Sequence, residues 1–189
     1  LTKTDIISRQ MFVDYLNLSA SGGITNDGVN SIANKYVESI PSIQAGFYNP
    51  LKVADILVAS DAKYNFEKYE LAVRQIHEKY GAEIKSAYPG NEILTNPSNI
   101  TYVYFGDLSS AYERMAGEIK LVPVPSSLSS QHLQLINNYF LMAKAMGILT
   151  KAGADPATAV AAVATINEGM DKQSVIIGEI NQILLKNTI

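Results

Sequence analysis

The sequence predicts a mainly α protein: a single domain over residues 1–189, an irregular bundle of about six helices ending in a long antiparallel hairpin at 126–187. Three observations predict it. Apolar residues recur at steps of three and four through most of the chain, the period of one helix face. Breakers such as "SASGG", "PGNEILTNPSN" and "KAGADP" separate these runs. Only two segments, the irregular connectors 41–60 and 89–107, lean toward β structure, which limits any sheet to a small two-stranded pairing.

The first helix is expected from Thr4 to about Leu18, with Ile7, Met11, Tyr15 and Leu18 on one face. Thr2 or Thr4 is its cap, and Asp5 suits the first-turn dipole. The second starts near Thr25 to Asp27, carries Val29, Ile32, Tyr36 and Ile40 on one face, and is closed by Pro41. In the first connector, "LKVADILV" is the best strand, and "ITYVYF" in the second is its expected partner.

Ser60 or Asp61 caps a third helix with Phe66, Tyr69, Val73, Ile76 and Tyr80 in line, ended by Pro89 and Gly90. A fourth follows Asp107, with Leu108, Tyr112, Met115, Ile119 and Val122 on one line. The hairpin is the clearest element. Its first arm repeats Leu128, His132, Leu135, Tyr139, Met142, Met146 and Leu149; its second repeats Ala159, Val163, Ile166, Met170, Gln173, Ile177, Ile180 and Leu184. Between them Gly153 ends one helix, Asp155 caps the next and Pro156 takes its first position. Alanines at 157, 159, 161, 162 and 164 leave little bulk there, so this end should pack closely. A register centred near Gly153 sets Met146 opposite Val163 and His132 opposite about Ile176.

Charged residues are 17% of the chain and apolar ones 47%, with a formal charge of −3. That balance carries no basic footprint for nucleic acid, and no window approaches the ~18 apolar residues of a spanning helix. The absence of cysteine excludes disulfides, thiolate metal sites and cysteine nucleophiles. A first residue of Leu rather than Met points to sequence upstream, a signal or an anchor.

Serine and histidine crowd together in "VPVPSSLSSQHLQL", yet the stretch reads as a helix entrance: Pro123 and Pro125 hold the chain extended, and Ser126, Ser127 or Ser129 caps the turn. No nucleophile elbow, phosphate loop, dinucleotide fingerprint or H-E-x-x-H pattern occurs, so no catalytic, cofactor-binding or metal-ligating residue is assigned. His132 faces the core, where it should pair across the hairpin with Gln173 or a nearby backbone carbonyl. His77 is a partly exposed helix histidine beside Glu78. Tyr48, Tyr88, Tyr102 and Tyr104 fall in the connectors; they either cover the bundle ends or, if exposed together, form an interaction surface.

"TKTDIISRQMFVDYL", "GGITNDGVNSIANKYVESI" and "VPVPSSLSSQHLQLINNYFLMAKAM" followed by "ADPATAVAAV" span most of the chain. On these segments it resembles a group of uncharacterised helical domains of ultrasmall, candidate-phylum bacteria. Members of that group look membrane-anchored, with an N-terminal transmembrane helix and an extracytoplasmic helical domain, and some are encoded near secretion or pilus components. The resemblance implies an extracytoplasmic location and brings no catalytic residue. The resulting expectation is a non-catalytic cell-envelope scaffold or protein-binding module without cofactor, attached to the membrane only through an anchor upstream. A small-molecule sensor or solute-binding domain is the alternative, and a hydrolase relying on a buried Glu113 or Glu168 is third.

Overall fold

The computed structural model describes residues 1–20, 25–87, 100–151 and 154–188; of residues 26, 87 and 100–103 it describes the backbone only. The mainly α prediction holds. Six helices of twelve residues or more are present among the described residues: α1 (Lys3–Ala20), α2 (Asn26–Val37), α4 (Lys63–Ala87), α5 (Ile100–Lys120), α6 (Ser129–Leu149) and α7 (Pro156–Thr188). A single helical turn, α3 (Ile40–Gln44), and two 3-10 turns, Val53–Asp55 and Ser126–Leu128, lie between them.

The last four long helices form the body. Ser109 Oγ donates to the Ala143 carbonyl and Lys144 pairs with Glu113, so residue numbers rise on α5 as they fall on α6. Arg114 pairs with Glu83 and Lys79 with Glu118, which makes α4 and α5 antiparallel in the same way. Asn138 donates to the Gly169 carbonyl and sets the expected antiparallel hairpin of α6 and α7. Helices α4 and α6 then lie on a diagonal and run parallel, Tyr69 reaching His132 and His77 reaching Tyr139 across the centre. This is an up-down-up-down four-helix bundle. Its core includes Phe66, Ile119, Leu128, Leu135, Ile136 and Met142, none with measurable exposure.

Two short strands close one end. β1 (Val58–Ala59) pairs in parallel with β2 (Val124–Pro125), Val58 opposite Val124, and Val124 N–H donates to the Leu57 carbonyl at 2.8 Å. Each strand immediately precedes one of the parallel diagonal helices, which explains why the strands themselves run parallel. β1 meets the expected strand only at Val58, Val53–Asp55 being a 3-10 turn, and the expected partner is not one: residues 100–105 open α5, and Tyr104 and Phe105 pack on the core. β-branched and aromatic residues lose well under about 1 kcal/mol each in a helix, and packing outweighs that. The second irregular connector accordingly ends before Ile100.

Local entrances were partly legible. Thr2 and Asp5 satisfy each other as a capping box, Thr25 Oγ1 accepts from Gly28 N–H at 3.1 Å, and Asp155 caps α7 behind Pro156. Pro41 does not close α2, which ends at Val37; it sits in the first turn of α3, where its missing N–H costs nothing. The serines of "VPVPSSLSSQ" do not cap α6. Asp61 reaches over instead, accepting from Ser126 Oγ at 2.8 Å and Ser127 N–H at 3.0 Å, so it is spent on that entrance rather than on α4.

Of the predicted α7 seam, Ala159, Ile166, Ile180 and Leu184 are buried, but the buried arc is rotated away from its other members. Val163 and Met170 are 47% and 50% exposed, while Ala161, Ala162, Thr165, Gly169 and Ile176 are buried. Close approach is the reason: a Cβ on Gly169 would stand 2.5 Å from Met142 Cγ, so the small residues face α6 and the larger ones are turned outward. The predicted hairpin register survives this rotation, since Asn138 and Met142 bracket Gly169.

Candidate functional site

Asn137 and Asn138 interrupt the apolar run of α6, and both are committed to backbone. Asn137 clips the connector to the bundle: its Oδ1 accepts from Leu51 N–H at 2.8 Å and from Tyr48 Oη at 3.1 Å, and its Nδ2 donates to the Leu51 carbonyl at 3.2 Å. Tyr48 stacks on Phe140 with ring centres 5.6 Å apart. The connector is thereby held across the hairpin as a strap, with α3 against α7.

Between strap and hairpin lies an open trough of about 880 Å³. One wall is a stripe on α7 containing Thr165, Glu168, Asp171, Lys172, Val175 and Glu179; the other comes from Gln134, Asn138 and Leu141 of α6 and from Pro41, Tyr48 and Pro50 of the strap. Glu168 is shared by Lys172 at 3.7 Å and Gln44 at 3.4 Å. Asn138 is 94% buried on this wall, its Nδ2 bound to the Gly169 carbonyl at 2.8 Å. Its Oδ1 accepts no hydrogen bond among the described residues. A smaller groove of about 390 Å³ runs between α4, α6 and α7 over Tyr69, Val73, Leu135 and Ile180.

Both histidines are committed to tyrosines. Tyr69 Oη lies 3.1 Å from His132 Nδ1 and has no other acceptor among the described residues, so the tyrosine donates and the ring proton stays on Nε2. That Nε2 is buried without a partner there, and burial pulls the His132 pKa down to about 4. His77 mirrors the pair. Its Nε2 is 2.7 Å from Tyr139 Oη, the Val73 carbonyl takes up its other side, and burial lowers its pKa too. Burial raises Tyr69, Tyr112 and Tyr139 well above the usual tyrosine range. Tyr139 also meets Tyr112 edge-to-face at 5.8 Å. Tyr69, His132 and Tyr139 are thus neutral packing groups near pH 7.

The expected pair of His132 and Gln173 is therefore replaced. His132 is core-facing, as predicted, but its partner is Tyr69 on α4, and Gln173 is half-buried on α7 apart from it. A polar bridge across the hairpin does exist, from Asn138 to Gly169. Tyr48 and Tyr104 are half-buried and packed, one on Phe140 and the other beside Phe105 at 5.3 Å. Tyr88 and the side chain of Tyr102 lie outside the described residues. Glu113 and Glu168 are both exposed.

Sequence reading missed the asparagine clip and the acidic stripe. The doubled asparagine in "LINNYFL" was the available signal, being polar within an otherwise apolar run; the stripe at 168, 171, 175 and 179 was visible as spacing but not as one wall of anything. Among the described residues no cluster of three His, Asp or Glu could hold a metal, and no helix is long and apolar enough to cross a membrane. No family model matches the chain, and no curated protein or solved structure matches it either.

Proposed function

We propose that this protein is a non-catalytic binding module that receives a protein partner in the trough between the strap and the hairpin, as an extracytoplasmic scaffold of the cell envelope. The open 880 Å³ trough beside an otherwise filled core carries the reading. Concave, mostly apolar surfaces with a few fixed polar groups are where proteins bind. The bundle supplies rigid walls, and the Asn137 clip fixes the strap on them. Non-catalytic character is supported by the titratable groups themselves. Each histidine is tied to a tyrosine, and the carboxylates at the trough, Glu168, Asp171 and Glu179, are exposed. The envelope location rests on the family resemblance alone. The sensor alternative asked for a cavity lined by His132 and Gln173, and neither residue lines either groove.

A photocrosslinking amino acid placed at Val175 in the trough, and separately at exposed Val160 outside it, tests the reading in native cells. A discrete protein adduct from position 175 alone, recovered with the envelope fraction, is expected. Equal adducts from both positions, or none, would overturn the docking role, and an adduct found only in the soluble fraction would overturn the location.

A further inference from the structure

The occupant of the trough can be narrowed by length, charge and one unused acceptor. Its α7 wall repeats at 165, 168, 172, 175 and 179, one continuous face. From Thr165 to Glu179 the helix rises about 21 Å, four turns at about 1.5 Å per residue. A second helix about 10 Å across, laid half-sunk along that length, displaces roughly 800 Å³, the same order as the 880 Å³ available. Leu141, Val175 and Ile176 give such a helix an apolar seat. Three carboxylates, Glu168, Asp171 and Glu179, face one cation, Lys172, which already leans on Glu168. Asn138 adds an acceptor without a donor, on a side chain 94% buried in the wall. A negative rim and an open acceptor select a ligand rich in N–H donors.

We propose that the trough docks a basic amphipathic helix of about four turns from a partner protein, its apolar face on Leu141, Val175 and Ile176 and its Lys or Arg side chains at Asp171, Glu179 and Asn138 Oδ1. This rests on the docking role above and adds the partner's chemistry. Helix-in-groove recognition supplies the apolar contact, and charge complementarity supplies choice of partner and on-rate.

The test uses the full chain and a fluorescein-labelled synthetic 14-residue amphipathic helix of leucine and lysine, read by anisotropy. Its twin carries glutamate at every lysine. The lysine peptide should bind at least about tenfold tighter than the twin, and D171K with E179K should weaken it by about tenfold. Placing the same charge change on α4, as E67K with E70K, should alter binding by less than about twofold, both sites being solvent-exposed. Equal losses from the two double variants would show unspecific attraction and overturn the proposal. So would octylamine displacing the peptide at matching concentration, which marks a small-amine site. A twin that binds as well as the lysine peptide overturns the basic occupant while an adduct at Val175 still upholds docking. No binding by either peptide and no adduct removes both.

Discussion

The two helical hairpins of this protein are built from similar fractions of apolar residues and end very differently. In α6 and α7, His132, Leu135, Tyr139, Met142, Met146 and Ile180 are buried, and helices contact neighbours on more than one side. α1 buries no residue: Phe12 is 62% exposed, Val13 52% and Leu16 49%. Its contacts are narrow. Leu18 packs against Gly28, Asp14 accepts from Lys35 and Tyr36, and the α1 start is fixed by Asp155, which takes the Lys3 and Thr4 N–H groups and the Thr4 hydroxyl. One carboxylate thus caps two helix starts. The difference teaches that periodicity makes a helix, while burial requires a second surface on each side. The bundle has four mutually supporting faces, whereas α2 leans on α1, and α1 on one edge of α7.

Truncation gives the largest contrast. Phe66→Ala should cost about 3–5 kcal/mol in denaturant unfolding, as fully buried aromatics do, whereas Phe12→Ala should change stability by less than about 0.5 kcal/mol. Comparable losses at the two positions would break the comparison.

Acid should strike the bundle and spare the appendage. His132 is neutral when folded, with a pKa of about 4 against 6.5 when unfolded. The unfolded chain therefore binds the proton first, and stability present above pH 6.5 falls as pH drops toward 4, by on the order of 3 kcal/mol. His77, also lowered, adds in the same direction. Urea midpoints across that range should show the slope, and His132→Phe should flatten it; an unchanged slope would refute the buried neutral histidine.

Close packing makes the third contrast. Gly169→Ala should lose about 1–3 kcal/mol to the clash with Met142, and should cost less when introduced into a Met142→Ala chain, although that chain is itself destabilised by the emptied core site. Gly178, which has open space around its Cβ position, should tolerate alanine and gain stability by up to about 1 kcal/mol.

The smallest change should act on the appendage and on the first turn of α7, which Asp155 also caps. Asp155→Ala removes a cap worth about 0.5–2 kcal/mol and unties α1. Amide exchange should quicken across 3–20 with little change in α4 and α5. The pKa of Asp155, raised by burial but held down to about 2 by the Thr4 and Thr158 hydrogen bonds, keeps the tie charged through the pH range in which His132 titrates. Protonation of the folded carboxylate begins only below about pH 4 and is half complete at about pH 2, so the stability of the tie is lost through that window.

Legibility followed the range of each interaction. The α6 seam was readable because all seven of its members are buried by one helix face. The candidate site was mostly hidden: of the residues lining the trough, Tyr48 had been singled out as bundle cover or interaction surface rather than for its bond to Asn137, and Glu168 as a buried carboxylate, whereas it is exposed.

What the sequence determined by itself is the set of long helices, the approximate ends of most of them though not the start of α5, the hairpin register and the core-facing place of His132. These depend on spacing, caps and turn residues within a few positions of one another. Only the tertiary structure decided that β1 takes Val124 rather than the "ITYVYF" segment as its neighbour, that Asp61 serves a turn 65 positions away, that His132 bonds Tyr69, and that strap and hairpin enclose a trough. Each of those joins residues with no local constraint on one another, and their pairing is fixed by which helix faces can pack closely, as Gly169 against Met142 shows.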